Sequence, residues 1–182
     1  MKLHLGCGDK SLEGFIHVDM DEKDHIDFPN TDLRSLPFES NTVDLIYSCG
    51  NLEYYDQEEI PIVLKEWCRV MKQGSIIRLS VPNFDSIINV YQNNGKNIFG
   101  EGILGPIFGK WKLSNGKYIY HKTVFDFNSL EKHLTNVGFG NIRRYNHDDV
   151  MPVGYDYYSM AYIPYKDPNG IQISLNIEAN KL

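Results

Sequence analysis

The sequence has no excess of basic residues. Lysine and arginine number 18 against 24 aspartate and glutamate residues, which gives a formal net charge of −6. A protein that binds nucleic acid gains much of its affinity from lysine and arginine contacts to phosphates, and the charges here are scattered instead of forming a basic stripe. The composition therefore argues against nucleic acid as a partner.

Cysteines and long apolar runs are also scarce. The three cysteines, Cys7, Cys49 and Cys68, are odd in number and far apart, which predicts free thiols in a reducing compartment. No window approaches the ~18 consecutive apolar residues of a membrane span, and no apolar segment follows a basic start. We therefore expect a cytoplasmic protein without a membrane span.

With 182 residues and 42% hydrophobic residues, the chain is long enough for one domain over residues 1–182 with its own core. Alternation or branched apolar residues predict strands, and apolar residues at three- and four-residue spacing predict helices. The predicted strands cover 3–5, 15–19, 43–48, 75–81, 140–145 and 171–177, and the predicted helices cover 56–72, 84–91 and 128–137. Asp56 with Glu59 and Asn128 with Glu131 are the predicted helix caps.

The first ten residues carry the main functional signal. A short apolar strand runs directly into Gly6-Cys7-Gly8, and a second strand ends at Asp19. Glycines let a ligand approach the main chain, and a carboxylate at a strand end can accept both ribose hydroxyls. A third glycine is missing, because Ser11 holds its place, and the acid comes earlier than the ~20 residues of a dinucleotide site. A nucleoside site without a pyrophosphate is therefore favoured over a structural turn.

Four motifs then follow in order and in register. They read LGCG at 5–8, VD at 18–19, DLRSLPF at 32–38 and VDLIYSC at 43–49. This series resembles class I S-adenosylmethionine-dependent methyltransferases. Two later stretches, RLSVPNF at 78–84 and YHKTVFD at 120–126, resemble a small bacterial branch associated with surface-polysaccharide genes.

The resemblance implies an α/β fold with a Rossmann-like, mostly parallel sheet, a C-terminal antiparallel hairpin and a truncated N-terminal part. It implies S-adenosylmethionine as the cofactor, with Asp32 accepting a hydrogen bond from the adenine amino group and the Leu33 main-chain amide reading the ring. The implied cofactor-binding residues are Gly6, Cys7, Gly8, Asp19, Asp32, Leu33 and Ser48. No metal is implied.

The acceptor is less well specified than the cofactor. Deprotonating a hydroxyl acceptor needs a base, and a histidine with a pKa near neutrality suits that task. His121 is the candidate general base, with Asp126 or a backbone carbonyl to hold its ring, although a structural histidine at a helix entry explains the same pattern. Relatives often have Leu-Glu-His where this chain has Leu52-Glu53-Tyr54. Glu53 either faces the cofactor or caps a helix, and Glu53 or a tyrosine of the later loop is the alternative catalytic base if His121 is structural.

Two long connections, 93–117 and 146–170, are the predicted acceptor loops because they are rich in aromatic residues and too long for simple turns. Residues 9–14 leave no room for the helix that relatives carry there. We therefore expect either a homo-oligomer or a closing loop to cover the site. Two functions stay open: O-methylation of a small-molecule, sugar or glycan hydroxyl, and a catalytically silent nucleoside-binding module.

Overall fold

A computed structural model describes residues 1–152, 155, 158–165 and 167–182 of the chain. The strands are β1 Lys2–Leu5, β2 Ile16–Val18, β3 Val43–Cys49, β4 Met71–Pro82, β5 Trp111–Lys112, β6 Tyr118–Ile119, β7 Phe139–Arg144, β8 Tyr162–Ile163, β9 Ile171–Gln172 and β10 Ser174–Lys181. The α-helices are α1 Glu59–Val70, α2 Phe84–Asn93, α3 Leu104–Phe108 and α4 Phe127–Asn136. Two 3₁₀ turns span Leu52–Tyr54 and His147–Asp149.

The central sheet has the strand order β2-β1-β3-β4-β10-β7. Strands β2, β1, β3 and β4 pair in parallel, whereas β10 is antiparallel to both β4 and β7. This confirms the predicted α/β class, with a mostly parallel sheet and an antiparallel C-terminal pair. Because the parallel strands end at one edge, the residues that follow them meet there.

The main core lies against α1. The apolar stripe of α1 buries Ile60, Val63, Leu64 and Trp67, and the first turn is capped as the sequence predicts: Asp56 Oδ1 accepts from Glu59 N–H at 3.0 Å. The helix ends at Val70, and β4 begins at once with Met71 opposite Val43, so the predicted stop at Gly74 is wrong. Burial of Met71 in the sheet ends the helix earlier than the glycine would.

The two predicted loops carry more regular structure than expected. Residues 93–117 contain α3 and part of the β5–β6 hairpin, and the later connection contains β8, which pairs with β9. The single strand expected over 171–177 is divided, with β9 turned toward β8 and β10 in the central sheet. In the part of the chain that the structure describes, no helix is long and apolar enough to cross a membrane.

The connection between β1 and β2 contains no helix, as its length predicts. It is held instead by His17 of β2, whose ring nitrogen Nε2 accepts a hydrogen bond from Leu12 N–H at 2.8 Å. The other ring nitrogen, Nδ1, lies 3.2 Å from Asp27 Oδ2. His17 is buried, and its ring supplies the hydrogen-bond acceptor for the Leu12 N–H in this turn.

The sheet face beside this connection is covered by the chain itself. Leu12 packs there with Tyr47 of β3 and with Met151 from the later connection. Phe15, Val150 and Tyr155 pack against the same cluster. The later connection thus packs against the β1–β2 connection, which contains no helix.

We predict that His17→Ala lowers the free energy of unfolding by about 1–3 kcal/mol, because the buried Leu12 N–H loses its acceptor. Denaturant unfolding followed by circular dichroism measures this. Glu13→Ala, an exposed change in the same connection, is the control and should stay within about 0.5 kcal/mol of wild type. Equal stability of both variants would contradict the assigned role of His17.

Candidate active site

The glycine loop after β1 is shaped by the residues of neighbouring strands. Gly6 and Gly8 have φ of +66° and +56°, a region that glycine adopts readily. Gly6 N–H donates to Val18 O at 2.8 Å, which ties the loop to β2. The loop therefore keeps its shape without a following helix.

Asp19, the first residue after β2, organises the loop further. Its Oδ2 accepts from Gly8 N–H at 2.8 Å and its Oδ1 accepts from Asp21 N–H at 2.8 Å. The residue is only 6% exposed. The carboxylate is thus fixed in orientation by two main-chain donors, and each oxygen retains a lone pair for a further donor.

A large cavity of about 1300 Å³ opens at this edge of the sheet. It is lined by most of the site residues predicted from the sequence: Gly6, Cys7, Gly8, Asp19, Asp32, Leu33, Glu53 and His121. The volume exceeds what one drug-sized ligand usually occupies, so the cavity has room for a nucleoside cofactor and an acceptor together.

Asp32 and Leu33 form one wall of the cavity. Arg34 Nε and Nη2 donate to Asp32 Oδ2 at 3.1 and 2.8 Å, and Arg34 Nη1 donates to Glu59 Oε1 at 2.9 Å. Hydrogen bonding from Arg34 lowers the pKa of Asp32, so the carboxylate stays charged. The Leu33 carbonyl accepts from Trp67 Nε1 at 3.0 Å, which anchors this wall to the core under α1.

Glu53 and His121 lie 68 positions apart in the sequence, and the fold brings them together in the cavity. His121 Nε2 lies 3.8 Å from Glu53 Oε1, and the side chains are 9% and 2% exposed. His121 Nδ1 lies 2.9 Å from the Pro106 carbonyl oxygen. A carbonyl only accepts, so Nδ1 carries the hydrogen and the neutral ring presents an unprotonated Nε2.

Burial sets the protonation of this pair. Desolvation lowers the pKa of His121 below its ordinary 6.5, and desolvation raises the pKa of Glu53 to about 8. The ring of Tyr54 meets His121 edge-on, with ring centroids 4.7 Å apart. At neutral pH the imidazole is therefore neutral and able to take a proton.

Two of the predicted site residues, Ser48 and Asp126, do not line the cavity. The Ser48 hydroxyl is buried and donates to the Leu5 carbonyl at 2.9 Å, which joins β3 to β1. The residues that follow it, Cys49, Gly50 and Asn51, line the cavity.

Asp126 does not hold the His121 ring. It is the N-cap of α4, where its Oδ1 accepts from Ser129 N–H at 2.7 Å while Ser129 Oγ accepts from Asp126 N–H at 3.1 Å. This capping box also replaces the predicted cap by Asn128 and Glu131. The alternative that the sequence analysis allowed, a backbone carbonyl, holds the imidazole through Pro106.

Asn51 is a site residue that the sequence analysis missed. Its side chain packs over Gly6, since a Cβ built on Gly6 would lie 2.1 Å from Asn51 Nδ2. Among the described residues, Asn51 Oδ1 and Glu53 Oε2 are buried and have no hydrogen-bond partner. Both residues line the cavity, so a ligand with an ammonium or amino group would satisfy them, which fits the amino-acid part of S-adenosylmethionine. The sequence signal that could have identified Asn51 is its position just after β3, at the carboxyl end of a central strand.

The two predicted acceptor loops both contribute to the cavity. Pro106 and Gly109 of the first loop line it, and Tyr158, Tyr162 and Tyr165 of the second loop line it too. Tyr157, another tyrosine of the second predicted loop, lies outside the described residues.

Comparison with known proteins is consistent with this geometry. The family model described as a methyltransferase domain matches residues 16–74, from β2 into β4, which is less than half of the chain. No curated protein sequence matches the chain.

Solved structures match over nearly the whole chain. A methyltransferase from Methanosarcina mazei has 16% identity and a TM-score of 0.58, over 100% of this chain and 92% of its own. One from Archaeoglobus fulgidus has 17% identity and a TM-score of 0.57, over 99% and 85%. The Burkholderia thailandensis 1,6-didemethyltoxoflavin-N1-methyltransferase, with substrate and S-adenosylhomocysteine bound, has 13% identity and a TM-score of 0.54, over 99% and 70%.

The chain therefore has the Rossmann-like fold of class I methyltransferases. The matched segment contains Asp19 and Asp32 and supports an S-adenosylmethionine-dependent methyltransferase, with S-adenosylmethionine as the cofactor.

We predict that Asp126→Ala lowers the free energy of unfolding by about 1 kcal/mol through loss of the helix cap and leaves methyl transfer unchanged. Thermal unfolding and a turnover assay measure the two effects. Asp85→Ala in the first turn of α2, where no side-chain cap bond forms, is the control and should change neither. If Asp126→Ala lost turnover while its stability stayed unchanged, Asp126 would have a catalytic role.

Proposed function

We propose that the protein transfers the methyl group of S-adenosylmethionine to a hydroxyl of a small molecule, most specifically of a sugar or glycan precursor. The observation that carries this proposal is the buried pair of Glu53 and His121 in the same cavity as the glycine loop and Asp19. A cofactor site alone needs no such pair, whereas attack by a hydroxyl needs a proton acceptor.

The bound cofactor supplies an activated methyl group, since its sulfonium leaves as a neutral thioether. The glycine loop, Asp19 and Asn51 would hold the nucleoside and amino-acid parts, and Asp32 with Leu33 would hold the adenine. In-line displacement requires mainly that the acceptor oxygen be aligned with the methyl carbon, so positioning is the larger task of these residues.

His121 would act as the general base. Its unprotonated Nε2 points toward Glu53, and an acceptor hydroxyl placed beside both could donate its proton to Nε2 as the new C–O bond forms. Pro106 fixes the tautomer that makes this possible. Glu53, whose burial keeps it protonated at neutral pH, would hydrogen-bond the acceptor oxygen as a donor or accept from the cofactor ammonium group.

The outer part of the cavity supports a ring-shaped acceptor. Tyr118, Tyr120, Tyr158 and Tyr165 line it and are each about half exposed. Exposed aromatic faces provide apolar surface for the C–H faces of a sugar ring, with phenol hydroxyls at the rim for polar contacts. Tyr158 and Tyr165 belong to the second predicted acceptor loop, whereas Tyr118 and Tyr120 follow directly after the first.

The remaining sequence-based predictions belong to the same proposal. Cys7, Cys49 and Cys68 are buried and form no disulfide, which agrees with the proposed location in the reducing cytoplasm. A homo-oligomer stays a prediction that light scattering can decide. The paired Glu53 and His121 favour catalysis over a silent binding module.

The cofactor assignment predicts that S-adenosylmethionine or S-adenosylhomocysteine at about a hundred times its dissociation constant raises stability by roughly 2.7 kcal/mol. Asp19→Ala should abolish the shift, because the loop loses the carboxylate that orients Gly8 and Asp21. Calorimetric titration and thermal shift measure this. Glu22→Ala, an exposed change nearby, is the control. Absence of binding by wild type at millimolar nucleoside would contradict the cofactor.

The role of His121 predicts that His121→Ala lowers turnover by about a hundred- to ten-thousand-fold with cofactor affinity nearly unchanged. Mass spectrometry of sugar acceptors identifies the product, and stopped assays give the rates. His133→Ala on α4 is the matched control and should retain wild-type turnover. Loss of cofactor affinity or of thermal stability in His121→Ala would instead indicate a structural histidine.

The pH dependence of kcat/KM distinguishes His121 from Glu53 as the catalytic base. If His121 is the base, kcat/KM is constant near neutrality and falls only below 6.5, because burial lowers the pKa of the imidazole that must be unprotonated. If Glu53 is the base, kcat/KM rises as pH increases through about 8, where its carboxyl ionises. We expect the first profile, and Glu53→Gln should preserve it.

A further inference from the structure

A hairpin from the middle of the chain lies across the glycine loop. Strands β5 and β6 pair Trp111 with Ile119 and Lys112 with Tyr118. A Cβ built on Gly8 would lie 3.4 Å from Cζ2 of Trp111, so the indole ring borders the space that a side chain at this position would occupy. Trp111 and Gly8 line the same cavity.

The turn of this hairpin is bound to the residues that follow β2. Ser114 N–H donates to Asp21 Oδ1 at 2.9 Å, and Ser114 Oγ donates to the Glu22 carbonyl at 3.0 Å. Asp21 is 4% exposed and its own N–H is held by Asp19. The hairpin is therefore attached to Asp21, whose main-chain N–H is held by the Asp19 carboxylate that orients the glycine loop.

Lys23 joins the loop and the hairpin from the other side. Its Nζ lies 2.6 Å from Asp9 Oδ1 and 3.3 Å from Asp21 Oδ2, and it stands 5.2 Å from the centroid of the Trp111 ring. Asp9 follows Gly8 directly. Two ion pairs and a cation–π contact thus hold the indole at one place over the loop.

We propose that Trp111 is a cofactor-contacting residue whose indole ring covers the nucleoside thioether or sulfonium held at Gly6 and Gly8. This inference rests on the proposed function, because it takes S-adenosylmethionine as the ligand. The β1–β2 connection is too short to supply a helix over the loop, and the hairpin supplies an aromatic wall at that position. An aromatic face suits both the apolar ribose edge and a positively charged sulfur.

The two tryptophans of the chain make a sharp test. Trp67 is a fully buried residue of α1, whereas Trp111 lines the cavity. In Trp67→Phe, emission comes from Trp111 alone, and S-adenosylhomocysteine should change it in a saturable way. In Trp111→Phe, emission comes from Trp67 alone, and most of the change should be lost.

Affinity gives the second measurement. Calorimetric titration of Trp111→Ala with S-adenosylhomocysteine should show about tenfold weaker binding or more, as expected for loss of an aromatic contact. The affinity of Trp111→Phe should lie between those of the wild type and Trp111→Ala. Lys112→Ala, an exposed change on the same strand that does not line the cavity, is the matched control and should bind as wild type.

The possible failures are distinguishable. Wild-type affinity of Trp111→Ala, or a full emission change in Trp111→Phe, overturns the role of Trp111 while the cofactor assignment stands. No heat and no emission change with wild type overturns both. A weaker affinity accompanied by a lower thermal midpoint without ligand, with Trp111→Phe also weak, would indicate that the ring only holds the hairpin and would likewise overturn the contact.

Discussion

The arrangement of the site depends on one buried carboxylate. Asp19 accepts hydrogen bonds from Gly8 N–H on one oxygen and from Asp21 N–H on the other. The first bond fixes the end of the glycine loop, and the second fixes the segment to which the hairpin turn is attached through Ser114. A charge-assisted bond to a main-chain donor in a buried place is stronger than a neutral one, so this single group can position two backbone segments.

A second constraint is the exclusion of water around Glu53 and His121. In water at neutral pH the Glu53 carboxyl would be ionised and the His121 imidazole would be partly protonated. Burial raises the pKa of Glu53 to about 8 and lowers the pKa of His121, so both side chains are neutral at pH 7. The pair is buried because Tyr54 and the Pro106 turn close over it. The chemistry proposed for the site therefore depends on packing by loops that are distant in sequence.

The short connection after β1 shows how distant segments compensate for each other. His17 holds the turn by accepting from Leu12 N–H, Met151 and Tyr155 cover the exposed sheet face, and the β5–β6 hairpin lies over the loop. The contact of His17 is local, whereas Met151, Tyr155 and the hairpin come from distant parts of the sequence. Together they pack around a connection that contains no helix.

The sequence by itself determined where the main strands lie along the chain, the apolar stripe of α1, the glycine loop and the acids at 19 and 32, because these depend on local spacing and backbone conformation. Only the tertiary structure decided which polar side chains meet. It joined His121 to Pro106 and Glu53, assigned Asp126 to a helix cap, turned Ser48 into a strand contact, and brought Asn51 and Trp111 to the cavity. The physical reason is that a side chain's partner depends on how loops pack and where helices begin: Asp126 is the N-cap of α4, so its carboxylate binds the Ser129 N–H and not the His121 ring.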